Sequence, residues 1–307
     1  MRHETYSPIA QELLGRLSVP LVAAPMFLIS GPQLVTAVCK AGAIGALPAH
    51  NARTTDLLQT WLSDLNEALR AHAAPYAVNL ITHATNRRFH DDLEVVVDQR
   101  VPIVITSLGA PREVLARIHS YGGLVFADVA SIHHARKAAD ASVDGLVLLC
   151  AGAGGNTGSL NPLAFVEAVR SFYRGIVLVA GAITNGRQIR ALRMLGADLA
   201  YVGTPFIVAE ESLAPEGHRR AIIEADADDV ICTTAVSGVP ANVLRRTLDG
   251  LQVPPLQNKA VGDMDIQSRP WLRTVCGAGH GVGQVQRVES AAEIVERFRR
   301  DFDEVVS

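Results

Sequence analysis

The sequence predicts an α/β chain: a (β/α)8 TIM barrel with a small cap domain inserted after the eighth strand. Three observations predict it. Eight short apolar runs recur between residues 21 and 202, near-continuous as parallel strands buried on both faces should be. Amphipathic segments separate them, and eight alternations of strand and helix favour a parallel sheet closed on itself. The seventh and eighth runs end at Gly181 and at Gly203-Thr204, where such barrels often bind a phosphate. An open doubly wound sheet is the structural alternative, but no GxGxxG follows the first strand to support it.

The expected strands are Leu21–Met26, Ile44–Ala49, Tyr76–Ile81, Pro102–Leu108, Leu124–Val129, Gly145–Cys150, Ile176–Ala180 and Leu199–Val202. Between them, Gln33–Ala41 reads as a helix stopped by Gly42, and Thr55–Ala73 carries a long amphipathic pattern. Pro111 sits where a first helical turn accepts proline. His133–Ala141 follows the fifth strand, and Asn161-Pro162 supplies a cap and first-turn proline after the sixth. The clearest βαβ unit is Gly175–Ile207. There Asn185 and Gln188 form a capping-box pattern, and Gly196 suits the position past the helix end.

After the eighth strand the rhythm changes. A charged helix is expected at Pro215–Ala225, a short strand-like run at Val230–Ala235, a helix from Pro240 to about Leu248, and then the loop VPPLQNKAVGD. The chain returns through GAGHGVG and ends in a helix opened by the capping box at Ser290. Ile294, Val295, Phe298 and Phe302 share one face of that helix, which should pack on the barrel. The expected division is a barrel of 1–210 and 271–307 and a cap of 211–270.

A hydrophobic content of 49% with a net charge of −3 fits a globular chain with ample core. The arginines are scattered and no basic block occurs, which argues against a nucleic-acid partner. No apolar run reaches the length of a membrane span, and the N-terminus lacks a signal-peptide apolar region, so a cytoplasmic protein is expected. Cys39, Cys150, Cys232 and Cys276 are far apart and form no CxxC pair. They read as buried free thiols, with neither a metal site nor a disulfide framework.

The candidate site residues stand where strands end. Met26, after Pro25, has two readings: a filler of core space, or a side chain lying against a flat cofactor ring. Asn79, a polar amide in the apolar run AVNLI, must be hydrogen-bonded if buried, either to a ligand phosphate or ring carbonyl or within the protein. Asp128 in FADVA could accept from a ribityl hydroxyl or cap the following turn. His133 and His134 read as structural or solvated, whereas His280 in GAGHGVG is the better candidate to face a ligand. In CAGAGGNTGSLNP, Cys150 to Pro162, four glycines allow close backbone approach. Asn156 is the strongly polar side chain at its centre; it donates and accepts hydrogen bonds but is no general base near neutral pH.

Together these segments resemble the nitronate monooxygenase family, formerly 2-nitropropane dioxygenases, and its flavin-dependent enoyl- and quinone-reductase relatives. The resemblance runs through LVAAPM, AVNLI, HARKAADASVDGLVLLCAGAGGNTG, VAGAITNGRQIRALRMLGADLAYVGTPF, TTAVSGVPANVLR and GAGHGVGQV, nearly the whole chain. It implies a metal-free barrel holding FMN. The implied contacts are Pro25, Met26 and Asn79, then Ala151, Gly152, Gly154 and Gly155, then Gly181, Ala182, Gly203 and Thr204. The last four would hold the phosphate through backbone N–H groups and the Thr hydroxyl, in agreement with the strand-end reading. The family places a histidine near the flavin in the glycine loop, as the base for neutral nitroalkanes; the matching residue here is Asn156, the expected catalytic position. The implied activity is therefore FMN-dependent oxidation of an already ionised nitronate, a small-molecule substrate, with O2 reoxidising the flavin. The alternatives are NAD(P)H-dependent reduction of an enone, quinone or enoyl thioester, a specialised flavoprotein of a biosynthetic pathway, and a barrel isomerase or lyase acting on a sugar phosphate. A homodimer is the assembly expected.

Overall fold

A computed structural model describes residues 7–249, 251 and 273–304. Eight parallel strands close a barrel: β1 (Leu21–Ala23), β2 (Ile44–Pro48), β3 (Tyr76–Ile81), β4 (Ile103–Ser107), β5 (Leu124–Val129), β6 (Gly145–Leu149), β8 (Ile176–Ala180) and β9 (Leu199–Val202). β9 pairs back onto β1, with Leu21 opposite Ala200 and Ala23 opposite Val202. The two-residue β7 (Gly155–Asn156) lies outside the barrel and joins an antiparallel sheet with β10 (Val230–Thr233) and β11 (Ala241–Leu244). The helices are α1 (Pro8–Gly15), α2 (Pro32–Lys40), α3 (Thr55–Leu69), α4 (Phe89–Asp98), α5 (Arg112–His119), α6 (Ile132–Asp140), α7 (Pro162–Arg170), α8 (Gly186–Met194), α9 (Thr204–Ile207), α10 (Glu216–Ile223) and α11 (Ala291–Asp303).

The period of two along each strand sorts the side chains into two cores. Val22, Ile44, Ala46, Ala77, Ile103, Ile105, Phe126, Val147, Ile176, Leu178 and Leu199 fill the barrel, where they join Ala10 and Leu13 of α1. The alternate residues, among them Leu21, Leu47, Val78, Leu80, Val104 and Val179, pack under the helices. The same alternation places Asn79, two residues beyond Ala77, and Asp128, two beyond Phe126, on the barrel-facing side of their strands.

Caps stop and start the helices as the sequence suggests. Asn185 and Gln188 form a complete capping box on α8, as do Ser290 and Glu293 on α11. Ile294, Val295 and Phe298 of α11 are buried, and the helix packs on α8 and α2. A third cluster, including Ile207, Val208, Ile222, Leu244 and Val282, ties the cap elements to the barrel end.

The expected helix from Pro240 to about Leu248 is instead β11 followed by a 3-10 turn, Arg245–Thr247. Proline is accepted just before or at the first residue of a strand as well as of a helix, and β11 satisfies its backbone between β10 and β7. Several expected strands are shorter than anticipated: the first ends at Ala23, the second at Pro48, the fourth at Ser107 and the sixth at Leu149. Helices α1, α4 and the short α9 are not among those the periodicity singles out. The loop VPPLQNKAVGD lies outside the described residues.

Candidate functional site

The barrel mouth and the cap enclose a cavity of about 300 Å³ at the C-terminal ends of the strands. After β1, Pro25, Met26, Phe27 and Ile29 form one wall. Asn51 clamps this turn: its Nδ2 donates to Met26 O (3.0 Å) and Ser30 O (2.7 Å), and its Oδ1 accepts from Leu28 N (2.8 Å). Leu28 sits in the left-handed region, φ 64°, a conformation that needs such anchoring. Met26 packs against both the barrel and cap clusters and lines the cavity, so its two readings coexist.

Asn79 lines the cavity and donates both Nδ2 hydrogens within the protein, to Ile105 O (3.0 Å) and Ser107 Oγ (3.1 Å). With its donors used, it can offer a ligand only the acceptor Oδ1. Of its two expected readings, the hydrogen bond within the protein is the one the structure shows, and a phosphate or carbonyl would find no free amide donor here. Asp128 also lines the cavity; its Oδ1 is buried without a hydrogen-bond partner, and burial pushes the carboxyl up to about 7. Beside it, the Tyr201 phenol is held well above its ordinary value by burial and by the Asp128 charge.

The glycine loop after β6 splits between two roles. Ala153, Gly154, Gly155 and Asn156 line the cavity. Ala151 is exposed and Gly152 buried outside that lining, so neither stands at the cavity as expected. Gly152 O instead accepts from Ala182 N (3.3 Å) and His280 N (3.0 Å), tying three loops together. A Cβ on Gly154 would lie 2.7 Å from Gly279 N, which explains glycine there. Asn156 is exposed and lies opposite Ala241 in the β7–β11 ladder.

Gly181 (φ 144°), Ala182 (φ 54°), Gly203 and Thr204 form the rim at the ends of β8 and β9, beside the glycine loop. Thr204 Oγ1 accepts from Gly279 N (3.0 Å), leaving its hydroxyl proton free to donate. Gly279 and Gly281 line this rim, but His280 between them is exposed and outside the lining. The loop expected to present a histidine presents bare backbone instead. His133 and His134 are exposed on α6.

Sequence reasoning missed His50, Ser107, Tyr201, Ser237 and His218 as lining residues. Ser107, a polar strand end in IVITS, gave the same signal as Asn79. Asn242, also missed, is buried and donates from Nδ2 to Ala153 O (2.8 Å), fixing the glycine loop to the cap.

Cys39, Cys150 and Cys276 are buried free thiols as expected, but Cys232, on β10 of the small antiparallel sheet, is exposed. Among the described residues there is no group of three His, Cys, Asp or Glu side chains able to hold a metal ion, and no helix long and apolar enough to cross a membrane. The cavity thus combines glycine edges for close ligand approach, one interior carboxyl, and an amide where proton abstraction would need a base.

Residues 11–299 match the family model described as nitronate monooxygenase. The chain is 30% identical over 287 residues to a nitronate monooxygenase of Paraburkholderia phytofirmans, covering 79% of this chain and 78% of the relative. It is 28% identical to a (3aS,4S,5R,7aS)-5-hydroxy-7a-methyl-1-oxo-octahydro-1H-indene-4-carboxyl-CoA dehydrogenase of Mycobacterium tuberculosis, over 77% of this chain but only 66% of that protein's length. Among solved structures, it resembles a nitroalkane oxidase of Streptomyces ansochromogenes (TM-score 0.83, 26% identity, 95% and 98% of the two chains) and FabK of Thermotoga maritima (0.81, 26%, 98% and 98%).

Proposed function

Because this chain belongs to the nitronate monooxygenase family and is an oxidoreductase, we propose that its cavity holds FMN and oxidises an already ionised alkyl nitronate, with O2 as electron acceptor. The observation that carries this reading is the arrangement at the barrel mouth. Asp128, with a buried and unpartnered carboxyl oxygen, and Asn79, with both amide hydrogens used within the protein, line a cavity rimmed by Gly181, Ala182, Gly203 and Thr204. These residues fit a flavin nucleotide. Asn79 Oδ1 would accept from a ring N–H, Asp128 from a ribityl hydroxyl, and the Gly181 and Gly203 rims, with the Thr204 hydroxyl, would hold the phosphate. Pro25 and Met26 would flank the ring, and Gly154 and Gly155 would border it.

When bound, FMN supplies an acceptor for the substrate's electron pair and a route for it to O2. The protein supplies position and polarity. Asn156 donates a hydrogen bond to a nitronate oxygen from the glycine loop but cannot remove a carbon-bound proton, so a neutral nitroalkane is a poor substrate. In the division into a barrel of 1–210 and 271–307 and a cap of 211–270, the described cap residues at the cavity, among them His218, Val236 and Ser237, would shape the chamber around the substrate.

A second reading is supported by the relatives named as carboxyl-CoA dehydrogenases. In it the same cavity exchanges electrons between a thioester substrate, an enone or a quinone and NAD(P)H. The chain spans 66% and 65% of those relatives' length. An anaerobic visible spectrum, before and after propyl nitronate, tests the first reading. Bleaching of a bound flavin supports it. A flavin untouched by nitronate but bleached by NADH or NADPH favours the second, and failure to take up added FMN refutes both.

A further inference from the structure

Among the described residues, two polar residues of the cap line the cavity, Ser237 and His218. Ser237 Oγ donates to Val239 O (3.5 Å) and is occupied. His218 is not: its Nε2 is buried and has no hydrogen-bond partner.

The geometry of α10 fixes this side chain in place. His218 lies in the first turn, its backbone N donating to Pro215 O (2.9 Å). The next residue, Arg219, donates from Nη2 to Ser212 O (2.8 Å) and Glu210 O (3.2 Å), anchoring the helix start to the segment after β9. Ile222, one turn on, is fully buried in the cluster joining cap and barrel. The helix is thus held through neighbours of His218 rather than through its imidazole. Burial alone pushes this ring down to about 4, so it is neutral near pH 7 and carries one N–H donor and one acceptor. A neutral imidazole suits polarising a substrate oxygen more than abstracting a proton. A buried ring nitrogen without a partner is costly for the protein alone, and a ligand oxygen removes that cost.

We propose that His218 is the cap's substrate-binding donor, hydrogen-bonding through Nε2 to an oxygen of the substrate in the cavity. This rests on the reading of the cavity as the substrate chamber, and applies equally to a nitronate oxygen and a thioester carbonyl.

The test uses FMN-loaded protein and propanoate, a planar oxyanion that mimics a nitronate without donating electrons. Binding is followed by perturbation of the flavin spectrum and by the ¹⁵N resonances of labelled histidine, with His218 assigned by its loss in His218→Phe. The Nε2 resonance should move on addition of propanoate. His218→Phe should weaken propanoate about tenfold or more, the loss expected for a hydrogen bond to a charged partner, and leave FMN affinity within about twofold. His218→Gln, which keeps an N–H donor, should recover most of the propanoate affinity. Undiminished propanoate binding by His218→Phe with an unmoved resonance overturns the proposal. Loss of FMN binding in place of propanoate binding also overturns it, by assigning the ring to the cofactor. If the wild-type chain takes up no FMN, the flavin reading falls separately. The histidine is then decided by its resonance in the unloaded protein, where a shift with propanoate supports the proposal and no shift refutes it.

Discussion

Replacing Asp128 by Asn isolates the cost of keeping a carboxyl at the inner end of β5. Burial moves this group from its ordinary 3.8 to about 7, with no charged partner to offset it. Between those values the folded chain holds the proton and the unfolded chain does not, so folding stability falls as pH rises. The fall is about 1.4 kcal/mol per pH unit, and it accumulates to about 4 kcal/mol once pH exceeds 7. Asn cannot ionise. Asp128→Asn should therefore match the wild type near pH 4 and become more stable by about 4 kcal/mol at pH 8. Urea unfolding of both FMN-free proteins at half-unit steps from pH 4 to 8.5 measures the difference. Parallel stability profiles would refute the reasoning, because they would mean the carboxyl ionises as easily folded as unfolded. The same group links pH to the ligand. If a ribityl hydroxyl donates to Oδ1, binding favours the carboxylate, and wild-type FMN affinity should rise through pH 7 while that of Asp128→Asn stays flat.

Three further outcomes are expected. Asn156→His should gain turnover of neutral nitroethane, by about a hundredfold or more if the new imidazole acts as general base. Its melting temperature should hold, since residue 156 is exposed and pairs with Ala241 through backbone; oxygen uptake with nitroethane reads the gain, and an unchanged rate counts against the loop position as the missing base. Gly279→Ala places a Cβ 2.7 Å from Gly152 O and 3.2 Å from Gly154 N. It should cost about 1–3 kcal/mol as overpacking and weaken FMN in a spectral titration; wild-type FMN affinity would show that this rim is not a cofactor contact. Arg170→Ala strips the Asp198 carboxylate (2.6 Å) and the carbonyls of Gly175 and Gly196 of a donor. Asp198 is 2% exposed, so the loss should be about 3–5 kcal/mol in urea unfolding, and a loss under 1 kcal/mol would contradict the pairing.

Legibility in the sequence followed how local each signal is. The barrel strands announce themselves because apolar runs buried on both faces need no partner to be recognised. Asn185 with Gln188 and Ser290 with Glu293 announce helix starts for the same reason. Pro240–Leu248 misled because its strand pairs with β10 and with the remote β7, 85 residues earlier between Asn156 and Ala241, and that pairing outweighs local propensity. The candidate site divided likewise. Asn79 and Asp128 were conspicuous as polar residues closing apolar strands, and the glycine loop was conspicuous by composition. His218 carried no such mark, since a histidine in a charged helix reads as solvated, and only the packing of Arg219 and Ile222 turns it inward. His280 shows the reverse: a glycine-rich setting suggested a ligand contact, but the glycines face the cavity and the imidazole does not.

Backbone conformation at the mouth adds a physical reason for treating this rim as built for a ligand. Among the described residues, five that are not glycine lie in the left-handed region: Leu28, Arg100, Leu108, Ser142 and Ala182. Arg100 and Ser142 follow the C-caps of α4 and α6, where a left-handed residue is the ordinary way to end a helix. Leu28, Leu108 and Ala182 follow β1, β4 and β8 at the catalytic end of a barrel, and no helix ends there to account for them. Each costs about 1–3 kcal/mol unless its surroundings hold it. For Leu28 those surroundings are the Asn51 clamp, and for Ala182 the Gly152 carbonyl that accepts from its N–H. Asn51 and Gly152 therefore matter to the cavity although neither lines it. They keep the turns in their bound-ready shape before a ligand arrives, so binding energy need not be spent on forming them.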